Sequence, residues 1–182
     1  ASAVPIERPR DADHKRDPAA ADDGDRPDDE APLAEQDPAT RHLIEVNFHY
    51  LPQLIEALGQ LRGSGSGMIA DGKITMEELH EFTRLISDVS VLSRGVQRNM
   101  GFAFEWSKPL QATLADLTKQ AASQADGYVA LAQAQVLQPA VPAISAPLYF
   151  DHGTEAISSG YRLLKVATEH NQKSFEQDIR HL

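Results

Sequence analysis

The chain has 182 residues, a formal net charge of −10 and no cysteine, which excludes disulfides, thiolate metal sites and a cysteine nucleophile. A pI near 5.1 leaves no basic stripe able to release counterions from a phosphate backbone, so no nucleic-acid partner is expected. No apolar run is long enough to span a bilayer, so no transmembrane segment is expected.

Composition breaks near residue 38. Residues 1–37 carry twelve acidic and five basic side chains, five prolines and almost no large apolar residues. Such a segment buries too little apolar surface to offset the entropy of ordering it, and reads as a disordered acidic arm. The opening Ala1-Ser2-Ala3 has neither an initiator methionine nor an apolar signal core, which reads either as a chain whose signal peptide has been removed or as residues foreign to the protein, with preference for the processed, exported reading. About 145 residues remain, enough for one core. They are rich in alanine, leucine and glutamine and poor in aromatics, which favours packed helices over sheets.

Asp37-Pro38 is a helix opening, an N-cap followed by proline at the first helical position. Ile44, Phe48, Leu51, Ile55 and Leu58 follow at steps of four and three, which predicts one buried face on a helix over 38–62. Pro52 lies inside this pattern and removes a backbone donor, so a kink or break is expected over Asn47–Leu51. Gly63-Ser-Gly-Ser-Gly67 ends that helix on composition. It reads either as a native flexible loop or as an engineered linker, since Met68 follows directly.

Thr75-Met-Glu-Glu78 is a capping box. Leu79, Phe82, Ile86, Val89, Ser93, Val96 and Met100 then keep a three-four spacing, the seam of a helix packed at a shallow angle. Gly95 and Gly101 weaken its end, so it is expected to stop near Met100. Ser107-Lys-Pro109 opens a third helix, whose face tapers from Leu110, Leu114 and Leu117 through Ala121 and Ala125 to Tyr128 and Leu131. Pro139, Pro142 and Pro147 interrupt the chain. Asp151 is expected to cap a fourth helix with Ile157, Tyr161, Leu164, Phe175, Ile179 and Leu182 inward and a polar gap at Thr168 and Asn171. Four such helices predict an all-α four-helix bundle over 38–182, preceded by the disordered acidic arm.

Chemistry-bearing motifs are weak. Asp71-Gly72-Lys73-Ile74, running on to Glu78, resembles the back half of an EF-hand, in which the glycine makes the sharp turn and the last glutamate binds bidentately. The resemblance implies a calcium-responsive helical module using the loop that ends at Glu78. The front half departs from it, with Gly67 and Ile69 where oxygen ligands belong. His42 and His49 share a helix face, and His152 and His170 lie far apart, without the spacing that zinc sites use. No serine sits in a strand-turn-helix elbow. No enzyme, cofactor or metal is expected.

The remaining feature is the span from Gly127 to Phe150, which contains no charged side chain. Loops are normally polar, and a proline-stiffened apolar one either packs across its own domain or meets a partner. Ile144, Leu148, Tyr149 and Phe150 are the candidate partner-binding residues. The expected function is a non-enzymatic protein–protein interaction module whose partner is another protein or a second copy. The alternatives are the calcium-responsive module and a structural subunit of a helical assembly.

Overall fold

The computed structural model describes residues 37–180; the acidic arm, apart from Asp37, and the expected seam residue Leu182 lie outside the described residues. Four helical rods follow one another. The first comprises α1 (Pro38–Glu45), a π-helical turn (Val46–Tyr50) and α2 (Leu51–Asp71). The second is α3 (Met76–Trp106). The third is α4 (Lys108–Ala132) with a second π turn (Gln133–Leu137), and the fourth is α5 (Ala146–Arg180). Among the described residues there is no strand. The rods close a ring in chain order: α2 packs on α3, α3 on α4, α4 on α5, and α5 on α2. This is the expected all-α bundle, with short connections joining antiparallel neighbours.

Pro52 accounts for the irregularity in the first rod. Its ring removes one amide donor and crowds the carbonyl four residues back. The chain widens just before it, and the Leu51 amide bonds to the Val46 carbonyl, five residues back. A π turn holds one residue more than an α turn, so the faces on either side fall out of phase. Leu51, Ile55 and Leu58 are buried as the spacing predicts. Phe48 is not: it is 74% exposed, and Asn47 takes the inward position instead.

The helix expected to stop at Gly63 continues through the glycine-serine run to Asp71. It ends at Gly72, whose φ of 64° is left-handed and whose amide bonds to the Met68 carbonyl at 3.3 Å, a glycine-specific stop. Residues 63–67 are therefore helix interior, neither a loop nor a linker in conformation. Leu61, Gly65 and Met68 face inward. A methyl group added at Gly65 would run into the Tyr149 ring of α5, whereas Gly63 and Gly67 have open space. Burial against α5 outweighs a helix-propensity penalty of about 1 kcal/mol per glycine.

The second rod follows the same logic. α3 runs past Gly95 and Gly101 to Trp106 rather than stopping near Met100. Gly95 lies under the Tyr50 ring, close enough that a Cβ would collide with it. Phe82, Ile86, Val89, Ser93, Val96 and Met100 are buried in the expected register. Ser107 makes the one-residue break to α4, with extended backbone and a hydroxyl that accepts from the Leu110 amide at 3.3 Å. Leu110, Leu114, Ala121, Ala125 and Tyr128 line the inner face of α4 as predicted.

α5 departs most from expectation. It starts at Ala146 rather than at Asp151, and the Ser145 hydroxyl accepts from the Leu148 amide at 3.4 Å. Its buried face is Tyr149, Gly153, Ala156, Ser159, Gly160, Leu163, Ala167 and Asn171. Tyr161, Phe175 and Ile179, expected inside, are exposed, as is Thr168; Ile157 and Leu164 are half-buried at the margin. The reason is close approach. A Cβ on Gly160 would sit 3.0 Å from Ile55 Cγ1 of α2, and one on Gly153 would sit 2.7 Å from the Tyr128 hydroxyl of α4. Small residues, not the heptad of large ones, face the neighbours.

Substituting the three glycines of residues 63–67 tests this directly. Gly63→Ala and Gly67→Ala should each raise unfolding free energy by about 0.5–1 kcal/mol, because the helix gains propensity in open space. Gly65→Ala should lower it by about 1–3 kcal/mol through overpacking. Urea denaturation decides; three near-neutral results would mean that this stretch is not helical.

Candidate interaction surface

The four residues expected to meet a partner occupy the α4–α5 connection and the first turn of α5, and the structure divides them. Tyr149 is fully buried. Its hydroxyl donates to the Leu61 carbonyl of α2 at 2.9 Å, and its ring lies 5.0 Å from that of Tyr128, tilted by 36°. It belongs to the core and is withdrawn as a docking residue. The sequence placed it in an apolar loop because the helix start was set five residues late. Ile144 is half-buried against the core. Leu148 and Phe150, on either side of Tyr149, are 51% and 43% exposed.

This alternation follows from helix geometry. Successive residues are about 100° apart, so a tyrosine aimed at α2 turns both neighbours toward the flanks. Phe150 is partly covered by Arg62 of α2, whose guanidinium carbon stands 4.3 Å from the ring centroid. The same guanidinium donates from Nη1 to the Thr154 hydroxyl at 3.0 Å, so one cation ties α2 to α5 and borders the exposed ring. Val141, in the connection itself, is also exposed. The Ala143 amide bonds back to the Gln135 carbonyl at 2.8 Å, which folds the connection against the end of the third rod.

Burial pushes both tyrosine hydroxyls far above the ordinary phenol range. Neither ionises at neutral pH. The Tyr128 hydroxyl is buried and has no hydrogen-bond partner among the described residues.

The turn that resembles an EF-hand is put to structural use. Asp71 is the last residue of α2, Gly72 its left-handed stop, and Ile74 half-buried. Glu78 Oε2 accepts from the Thr75 amide and hydroxyl, both at 2.8 Å, and the Thr75 hydroxyl accepts from the Glu78 amide at 3.2 Å. This is the reciprocal cap that the sequence predicts. The two Thr75 hydrogen bonds, the backbone one first, hold the Glu78 carboxyl below the usual carboxylate range.

The histidines do not converge. His42 Nδ1 lies 3.2 Å from Asn99 Oδ1 and His49 Nδ1 lies 3.2 Å from Gln53 Nε2. Among the described residues no three His, Asp or Glu side chains come together as a metal site requires. No described helix is long and apolar enough to cross a membrane.

Two features escaped the sequence. One is a groove between α2 and α3 bordered by Pro52, Glu56, Asp88 and Val91. The other is the buried Asn47, which, like Asn171 at the expected polar gap, has amide atoms without a partner among the described residues. The irregular proline and the polar gap were the signals that pointed toward them. Comparison of the chain with protein-family models, with curated proteins and with solved structures found no match.

Stability should separate the two kinds of residue in this turn. Tyr149→Ala should cost about 3–5 kcal/mol, as large aromatic truncations in a core do. Leu148→Ala should stay within about 0.5 kcal/mol; equal costs in chemical denaturation would show Leu148 to be core. The Glu78 cap carries a pH signature. A carboxyl whose folded pKa is lowered stabilises the fold above its ordinary pKa and ceases to do so as pH falls through the lowered value. The urea midpoint advantage of the native chain over Glu78→Gln should therefore shrink as pH drops below 4.5.

Proposed function

We propose that this protein is a non-enzymatic protein–protein interaction module that docks through the α4–α5 connection and the outer side of the first turn of α5. The observation that carries this reading is the placement of Leu148 and Phe150, half in solvent, on either side of a tyrosine fixed in the core. They sit at the end of a stretch from Gly127 to Phe150 that has no charged side chain. An apolar pair held on a rigid turn loses little conformational entropy on binding, which favours affinity. Arg62 against Phe150 supplies the polar border that interaction surfaces use around an aromatic anchor. The partner is another protein, or a second copy of the chain, with a complementary apolar patch.

Assembly of the bundle into a larger helical structure is the second reading. It is favoured by the exposure of Tyr161, Phe175 and Ile179 along α5, since a row of apolar side chains on a helix is the usual material of a helix–helix contact.

A photo-reactive benzoylphenylalanine at Leu148 or Phe150 should cross-link one defined protein or a second copy of the chain. The same group at the exposed Asp116 of α4 should not. Leu148→Asp should abolish the cross-link formed from position 150 while moving the melting temperature by less than about 2 °C. A cross-link pattern indifferent to position, or unaffected by Leu148→Asp, rejects the docking assignment. Cross-links only from Tyr161 or Phe175 support assembly along α5 instead.

A further inference from the structure

The groove between α2 and α3 lies away from Leu148 and Phe150, and its chemistry points to a different partner. It encloses about 580 Å³. Pro52, Ala57, Val91 and Leu92 supply its apolar surface, and Glu56 and Asp88 its carboxylates. Among the described residues no lysine or arginine lines it. Val91 is 53% exposed, an apolar side chain turned toward the groove rather than the core. From Pro52 to Gln60 is eight helical steps, about 12 Å, or a little over two turns of a facing helix.

The carboxylates choose the occupant. Glu56 accepts a hydrogen bond from Gln60 Nε2 at 2.8 Å and meets no cation among the described residues. Asp88 is paired with Arg84 on its own helix, at the exposed surface, where such a pair contributes little and exchanges readily. An apolar strip bordered by acids complements an amphipathic helix that presents apolar residues at steps of three and four with lysines or arginines beside them. The groove is open along one side, which suits a helix lying in it better than a small molecule, which needs most of its surface enclosed.

We propose that the α2–α3 groove binds a basic amphipathic helix of a partner protein, with apolar anchors against Val91, Leu92 and Pro52 and a cationic side chain on Glu56. The site does not rest on the docking role of Leu148 and Phe150, and each can fail without the other.

The test uses the full chain, isotopically labelled, titrated with a peptide of about 14 leucines and lysines patterned to one apolar helical face. Saturable binding should shift the amides of Glu56, Val91 and Leu92. Glu56→Gln combined with Asp88→Asn should weaken it at least about tenfold, through the loss of complementary charge. Asp116→Asn combined with Glu169→Gln removes the same formal charge from exposed positions on α4 and α5 and should change it by less than about twofold, since separated surface charges are screened. Val91→Asp should also weaken binding without lowering the melting temperature, and Leu148→Asp should leave it unchanged. A leucine–glutamate peptide of the same pattern should not bind. Equal losses from the two charge-removing pairs, equal binding of the acidic peptide, shifts confined to the first turn of α5, or no saturable binding at all would each overturn the assignment.

Discussion

Three tyrosine rings seated on three glycines set how closely the helices of this bundle approach. Tyr149 of α5 lies on Gly65 of α2, Tyr50 of the first π turn on Gly95 of α3, and Tyr128 of α4 faces Gly153 of α5. At each place a single added methyl group would meet an aromatic ring, and protein interiors packed to this density do not absorb such a volume without displacement. The three contacts tie α5 to α2, the first rod to α3, and α4 to α5. The remaining neighbours, α3 and α4, are joined through Ser93, whose buried hydroxyl donates to Asp126 Oδ1 at 2.8 Å. Close approach at these points draws in the rest of the core. It also holds the backbone on either side of Tyr149, which leaves Leu148 and Phe150 on a rigid turn.

This arrangement explains what was legible in the sequence. The seam of α3 and the taper of α4 were readable because large apolar residues recur there at helical spacing and are the residues that pack. The capping box at Thr75 was readable because its chemistry is local, with every partner within three residues. Gly63–Gly67 was misread for the opposite reason. Glycine has low helix propensity, and only a ring arriving from Tyr149, some eighty residues on, makes it the residue that fits at position 65. The α5 face was missed because hydrophobicity favours Tyr161 and Phe175 over Gly153, Ala156 and Gly160, whereas a closely approaching neighbour selects for small volume. The period held from Leu51 onward, but before the π turn the phase is shifted, so that Leu43 is buried where Ile44 was expected and Phe48 faces solvent. Leu148 and Phe150, singled out from an uncharged span, are about half exposed. Tyr149 could not be separated from them without knowing where α5 begins.

The two proposed surfaces have a common origin in these packing constraints. On the first turn of α5, one inward residue forces its two neighbours outward. On the first rod, the widened turn that accommodates Pro52 moves Phe48 outward on the rod that also supplies the α2 wall of the groove. In both cases apolar surface is left in water because the backbone leaves no inward position for it. Isolated exposed apolar side chains are ordinary on protein surfaces. Grouped ones next to a fixed charge, Arg62 in one case and Glu56 in the other, have the composition of recognition surfaces.

The same turn that exposes Phe48 buries Asn47, and this carries an energetic cost. Asn47 and Asn171 are 4% and 5% exposed, and neither amide has a partner among the described residues. They belong to one end of the molecule: α5 runs antiparallel to the first rod, with Gly160 opposite Ile55, and contacts α1 and the π turn beyond it. A buried amide left unpaired costs about 1–3 kcal/mol, a large fraction of the stability of a domain this size. The opposite end carries the Tyr149 hydrogen bond, the Tyr128–Tyr149 ring pair and the Arg62 bridge. Buried polar atoms unpaired among the described residues occur at that end too, at the Tyr128 hydroxyl, Arg62 Nε and the Ser66 hydroxyl, so it is the tyrosine contacts, and not freedom from polar cost, that distinguish the end bearing Leu148 and Phe150.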